Sequence, residues 1–551
     1  MPTTDPNVVT STSRTTSQVK QSTQYFDGLG RLIQTVDKAI TPSGRDRVTP
    51  IVYDAFGRQV YKYLPYPQTT DNTDDGKFKL NPFENQKTAI ENLNLYPGED
   101  IYYGKTNYEA SPLNRVLKTM APGNSWTGSN RGVAQTYESN TSADGVRIWT
   151  IGYAIGSLPH SSATYDAGTL YKYVATDADG NKTVSFQDKL GHIILKKTAL
   201  SANATDGHTG WLCTYYVYDN LNNLRFVIQP KAVNYLANHS WNITQTIADR
   251  LCFRYEYDGR KRMIIKKVPG AGEVQMVYDK RDRLVFRRDG NRSAANQWKI
   301  TYYDGLNRVV KTGLYASSES RSSLQNLMNG VTAQNPLPPV SASAVSILTY
   351  TYYDDYTWSG HQSFASSYLS KTTAAGNPYA ETPSSYSKKT RGLVTGTKVR
   401  TLNASPNKWL TTTTYYDDKG RVLQTRSTNF SGGIDVVTNK YDFSGKLLSS
   451  YVVNHNNNST VSPETRVLTE NHYDAAGRLL TVTKTINDQS ATERVIATNT
   501  YDELWQTQNK RTRQQPGNPK LQIQYPWLAD RDQPKLCQWQ RNALFRHGAE
   551  L

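Results

Sequence analysis

Between Gln21 and Leu504 apolar and aromatic residues recur at alternate positions over short runs, and turn-forming residues break the runs at intervals. A two-residue period predicts half-buried β-strands, because successive side chains of a strand point to opposite faces. Val146-Arg147-Ile148-Trp149-Thr150 is one such run, and Ile347-Leu348-Thr349-Tyr350-Thr351-Tyr352-Tyr353 is a second, rich in β-branched and aromatic residues. The stretch Tyr53-Asp54-Ala55-Phe56-Gly57-Arg58-Gln59-Val60 holds a strand end, a turn and a second strand start in eight residues. Asp54 suits the first position of a type I turn, where its carboxylate accepts the backbone N–H groups that follow. Gly57 supplies the positive φ that closes a short hairpin through a bulge.

The predicted hairpin recurs along the chain. Phe26-Asp27-Gly28-Leu29-Gly30-Arg31 precedes it, Tyr108-Glu109 to Asn114-Arg115 is a longer form, and Phe186 to His192 keeps the turn Asp188 and Gly191. From Tyr218-Asp219 the units become dense, at Tyr257-Asp258, Tyr278-Asp279 and Tyr303-Asp304, the last three starting 21 and 25 residues apart. A fixed period of this size marks a repeat architecture, and two strands with their turns fill it, so each period is one hairpin. Clear units return at Tyr416-Asp417 with Gly420-Arg421, at Tyr441-Asp442 with Gly445, and at Tyr473-Asp474 with Gly477-Arg478. These turn residues are the candidate site, in a structural sense.

The pattern divides the chain. Residues 1–20, rich in Ser and Thr, read as a disordered lead-in, and 21–185 as an N-terminal unit with the first repeats. Within that unit Glu84 to Leu95 has a helical pattern. Residues 186–315 form a first array, 316–346 a Ser/Pro-rich insert, and 347–504 a second array. Inside the insert Ser318 to Met328 reads as helical, and the Pro run after Asn335 as an exposed loop. The final unit begins Tyr501-Asp502-Glu503-Leu504 and then places Trp505 where Gly belongs. Residues 505–551 form an atypical tail with no further unit, read as disordered or as the product of a shifted reading frame.

Composition sharpens this picture. Apolar residues make up 37% of the 551, below the roughly 45–50% of globular domains, while Tyr numbers 38. Thin all-β layers fit those proportions better than a thick helical core. Lys and Arg outnumber Asp and Glu by 64 to 47, but Arg belongs to the repeat, so the +17 charge is spread along the array. Spread charge argues against nucleic acid as a partner. No run of about 20 apolar residues predicts a membrane span, and the N-terminus lacks the pattern of a secretory signal. Three Cys without C-x-x-C spacing support neither a zinc site nor a disulfide framework.

The many Asp residues suggest paired carboxylates, as in polysaccharide hydrolysis, but their turn positions explain them as backbone caps. Asp177-Ala178-Asp179-Gly180-Asn181 resembles part of a calcium loop without its closing glutamate, and a plain turn is expected. The eight His are scattered and no cofactor motif is present. The expectation is a protein that is not an enzyme and that needs no metal or cofactor. Tyr and Trp are numerous enough to offer sugar-stacking platforms, so a surface array that binds glycans is the alternative, with a β-rich polysaccharide hydrolase a weaker one.

The recurring Tyr-Asp-x-x-Gly-Arg-Leu/Val resembles the YD repeat of RHS-type proteins, which include the C components of bacterial insecticidal toxin complexes. The opening QSTQYFDGLGRLIQTVDKAI, YDAFGRQVYKYLPY and YEASPLNRVLKTMAPG is similar to the domain of unknown function that precedes such arrays in Bacteroidetes-like bacteria. The resemblance implies hairpins joined edge to edge in a spiralling sheet or partial hollow shell, around a secreted C-terminal toxin domain. It implies secretion or a cell-surface location, with a toxin domain or a separate shell-completing chain as partner. No counterpart of the family's closing segment is visible, so the expected shell is open.

Overall fold

Alternation along the arrays becomes antiparallel ladders, and each repeat turn leaves the same mark on them. At nearly every Tyr-Asp unit the register slips by one residue at the Tyr, as between Val277↔Phe286 and Tyr278↔Leu284. The slip is a β-bulge, which strengthens the local twist and bends the strand. The computed structural model describes residues 15–512, apart from 17, 202–203, 205, 335–336, 403–407 and 505. The predicted lead-in before Thr15 and the tail after Thr512 lie outside those residues, as does Trp505.

The fold is all-β. A four-stranded sheet of Ser22–Phe26, Leu32–Asp37, Arg47–Pro50 and Tyr66–Pro67 forms the N-terminal unit, and Arg147–Thr150 with His160–Thr164 makes a two-stranded one. Among the described residues all other strands join one closed barrel of 25, running from Tyr171–Thr176 to Thr507–Thr512 and returning through four strands between Tyr61 and Ser139. The shell expected to be open is therefore a ring.

Its seam follows from parity. Twenty-four successive antiparallel pairings leave the last strand parallel to the first, so Thr507–Thr512 closes on Tyr61–Tyr63 in parallel. At about 4.8 Å per strand the circumference is about 120 Å, and a circular section would be about 38 Å wide, or wider with tilt. The sequence after Leu504 carries no strand pattern, yet Thr507–Thr512 pairs with Ala497–Tyr501. Its sequence lacks alternating apolar residues, and backbone pairing does not require them.

One face of the ring carries most of the core. Phe186, Leu195, Tyr215, Ile228 and Cys252 lie opposite one another on successive strands. They are covered by Trp149 of the small hairpin and by the segment that holds two helices, Pro230–Ala237 and Gln245–Leu251. The opposite face is mixed, with hydroxyl pairs such as Thr312 with Thr349 at 2.7 Å and Thr412 with Ser427 at 2.9 Å, and apolar rungs such as Tyr216, Val227 and Phe253.

The Ser/Pro-rich insert does more than link. Its helix, Arg321–Asn329, starts where Ser320 accepts the backbone N–H of Ser323. It buries Leu324 and Met328 against Val277, Phe286, Trp298 and Ile300. The first-half helix spans Pro82–Asn92, and packs Ala89 and Ile90 onto Val36, Val48 and Tyr66. Leu504, 402 residues beyond Tyr102 of that core, is buried in the same cluster. Ser43 donates to Glu503 at 2.6 Å, and Gln506 donates to the Tyr96 hydroxyl at 3.3 Å. The N-terminal unit thus grips the last hairpin beside the seam.

Candidate functional site

The turn residues form one assembly repeated around the ring. In the Tyr53 unit, Asp54 Oδ1 accepts the backbone N–H of Phe56 and of Arg58, both at 2.9 Å. Oδ2 accepts from Arg58 Nε at 2.8 Å, so one carboxylate caps the turn and holds the Arg. Gly57 sits at φ 76°, which an L side chain rarely adopts, and Gly420, Gly445 and Gly477 are alike at 76°, 93° and 84°. Lys261, Asp282 and Asn307 take the same left-handed position at 59–66° in units that have no glycine there. This replacement is why the strict motif is hard to see in the Tyr257, Tyr278 and Tyr303 units.

The Arg makes the link to the next hairpin. Its guanidinium lies 4.3–5.3 Å over the ring of the following unit's Tyr: Arg58 on Tyr108, Arg262 on Tyr278, Arg283 on Tyr303, Arg421 on Tyr441 and Arg478 on Tyr501, among others. The Tyr hydroxyl then donates back to the carbonyl of the residue after that Arg, or after the residue that stands in its place (Lys446 before Leu447, Leu393 before Val394). Tyr278 reaches Met263 at 2.7 Å, Tyr303 Leu284 at 2.9 Å, Tyr441 Val422 at 3.0 Å and Tyr473 Leu447 at 3.1 Å. Tyr416 reaches Val394 at 2.6 Å and Tyr53 reaches Leu32 at 3.0 Å. Arg Nε holds the Asp of its own turn, because a four-residue separation across the turn brings the two together. Arg262 and Arg308 also reach an Asp of the next unit, Arg262 pairing with Asp282 at 2.8 Å and Arg308, bidentately, with Asp354 at 2.7–2.8 Å.

Asp354 belongs to a unit that the sequence disguised. Residues 355–392 are inserted into its turn, yet Asp354 N–H still donates to Leu393 O at 3.1 Å and Gly392 N–H to Asp354 Oδ1 at 2.6 Å. The usable signals were the strand run ending in Tyr353 and the Arg391-Gly392 pair before the next strand.

Since neighbouring strands run in opposite directions, turns after alternate strands share a rim, and the Asp turns from Asp188 to Asp502 all do. The turn at Asp177 falls on the opposite rim and is a plain capped turn, with Asp177 Oδ1 accepting from Asp179 and Asn181. The backbone N–H of Arg58 is the main cause that holds the Asp54 carboxyl below its ordinary range. At Asp354 the Arg308 guanidinium lowers it to about 2. These two carboxylates are held in the charged form by their turn N–H groups and Arg partners, as in a structural clasp. Among the described residues no three His, Cys, Asp or Glu side chains group as a metal site.

Small clefts open beside the clasps. One of about 510 Å³ lies between Thr41 and Pro42 of the N-terminal unit and the last rungs, at Asp474, Arg478 and Tyr501. One of about 460 Å³ adjoins Asp417, Arg421 and Tyr441, and one of about 200 Å³ adjoins Asp188, His192 and Tyr218.

Residues 2–139 and 387–517 match the model of a domain of unknown function, DUF6443. No curated protein matches the chain. Among solved structures, a crystal structure of TcdB2-TccC3 is similar over 90% of this chain and 22% of that one, at 13% identity and a TM-score of 0.41. The Photorhabdus luminescens Tc holotoxin pore is similar over the same shares, at 14% identity and a TM-score of 0.40. The chain spans about a fifth of the length of those proteins. No helix among the described residues is long and apolar enough to cross a membrane.

Proposed function

We propose that this chain is a wall element of an RHS-type β-shell that encloses or presents a secreted toxin, and that it acts as a scaffold and not as an enzyme. The observation that carries the reading is closure. A ring of repeat hairpins, locked at its seam by burial of Leu504 in the N-terminal core, has an inside and an outside. Half the ~10 Å sheet spacing on each side leaves about 28 Å across, before any crossing segments, which is wider than an extended polypeptide. A repeat sheet also removes its edges by closing, and exposed edges are an aggregation hazard. The repeat Asp residues serve as caps and Arg partners, which supports a role without catalysis.

Containment is testable with the full chain carrying a protease-sensitive peptide reporter at its C-terminus. The reporter should resist a broad-specificity protease in the intact protein and become cleavable in the seam variant Leu504→Asp. Equal cleavage in both proteins refutes containment.

A further inference from the structure

The residue two places before the Arg position is the tip of each repeat turn. In most units its backbone N–H donates to the turn Asp, as Phe56 does to Asp54 and Leu190 to Asp188, both at 2.9 Å. In the last hairpin that tip is Leu504, which is 4% exposed within the N-terminal core. Phe56, Leu113, Leu190 and Leu221 hold the same position and are 80%, 72%, 70% and 51% exposed. The next two tips after Leu221 are Arg260 and Arg281, and the exposed Leu306 stands apart behind them. Tyr153 and Ile155, both more than half exposed, lie on a loop beside the Asp219 turn. Arg225 holds that loop through the carbonyls of Gly152 and Ala154, at 3.3 and 3.4 Å.

The four tips share one rim, and their spacing is symmetric. Parity carries the Asp188 rim back round the ring to the Glu109 and Asp54 turns. From the junction of Val133–Ser139 with Tyr171–Thr176, the turns of Leu113 and Leu190 lie two strand spacings away on opposite sides, about 10 Å each. Those of Phe56 and Leu221 lie about 17 and 19 Å away, again on opposite sides. A two-fold axis through the junction therefore sets Leu113 of one copy against Leu190 of the other, and Phe56 against Leu221. Such self-complementarity is what an isologous contact requires.

We propose that this arc of the rim is a dimer interface, covered rim to rim by a second copy of the chain. At about 200 Å² per large apolar residue, the six exposures amount to about 800 Å², the share per partner of a standard interface. The largest apolar patch on a typical monomer is about 300–600 Å². Backbone anchoring of the tips keeps the ordering cost of docking small. Leu504 shows the same position entering an apolar core when it is covered. The contact does not depend on what the ring encloses, so a monomeric ring that still protects a reporter would refute the dimer alone.

Sedimentation velocity on the full chain tests this, with a dimer of dissociation constant on the order of 1 μM expected. Leu113→Glu and Leu190→Lys each set a charge against a leucine and should each weaken association at least about tenfold. An equimolar mixture of the two variants should associate more tightly than either alone, because the new charges then face each other across the axis. Both positions are exposed tips, so circular dichroism should be unchanged, and Leu306→Lys, outside the arc, should leave the dimer intact. A chain that stays monomeric up to about 100 μM, a hundredfold above the expected constant, overturns the proposal and leaves the rim to a different partner. A dimer that both variants leave intact overturns it too, as does a mixture that shows no recovery.

Discussion

Asp279 is the sharpest place to test the clasp. Its side chain is fully buried, its Oδ1 accepts from Arg281 and Arg283 N–H at 2.9 and 3.0 Å, and its Oδ2 accepts from Arg283 Nε at 2.7 Å. Arg283 in turn donates to Asn307 Oδ1 at 2.9 Å and covers the Tyr303 ring at 4.7 Å. Asp279→Ala removes the carboxylate from a buried Arg and strips two turn N–H groups of their acceptor. Breaking a buried pair from one side costs about 3–5 kcal/mol. Asp279→Asn keeps an acceptor for the turn N–H groups and loses only the charge, so about 1.5–3 kcal/mol is expected, the scale of a hydrogen bond to a charged group. In a repeat array, unfolding is a sum of local steps, so hydrogen exchange at the amides of 276–288 and 298–303 is a better readout than a single midpoint. Exchange there should speed up by at least about a hundredfold in the Ala variant, which is about 2.7 kcal/mol, and remain unchanged near residue 440. The equivalent change at the more exposed Asp54 should have a smaller effect. If Asp279→Ala costs no more than a substitution at the exposed turn tip Leu306, the clasp is not what holds neighbouring hairpins.

Three further outcomes follow from the same geometry. Leu504→Ala should cost about 2–5 kcal/mol and raise exchange at 61–63 across the seam, a site far from it in sequence; unchanged exchange there contradicts the latch. Burial drops the His208 imidazole from its ordinary 6.5 to about 4, against the Tyr215 hydroxyl 2.7 Å away. The unfolded chain therefore binds this proton first, so stability should fall as pH drops from 6.5 toward 4, and His208→Gln should flatten that slope in thermal unfolding. Burial raises the Cys213 thiol to about 11 and Cys252 to about 12, so iodoacetamide should label neither at pH 8 until the protein is denatured, as read by mass spectrometry.

The sequence by itself determined the hairpin. Asp54, Gly57 and Arg58 lie within five residues of one another, and their turn is set by local backbone sterics and capping, so a short window contains its causes. The all-β class followed from two-residue alternation for the same reason. Tertiary structure decided what those hairpins make together. The partner of Arg283 across the gap is Tyr303, whose hydroxyl returns to Leu284, and a motif written Tyr-Asp-x-x-Gly-Arg does not say that its first and last residues meet between units. The unit at Asp354 was hidden because an inserted segment separates its two strands in sequence and not in space. Closure was least visible of all. It depends on Leu504 entering a core built from Val36 to Tyr102 and on Thr507–Thr512 pairing without an apolar pattern. Such contacts join the two ends of the chain, and local periodicity carries no information about them.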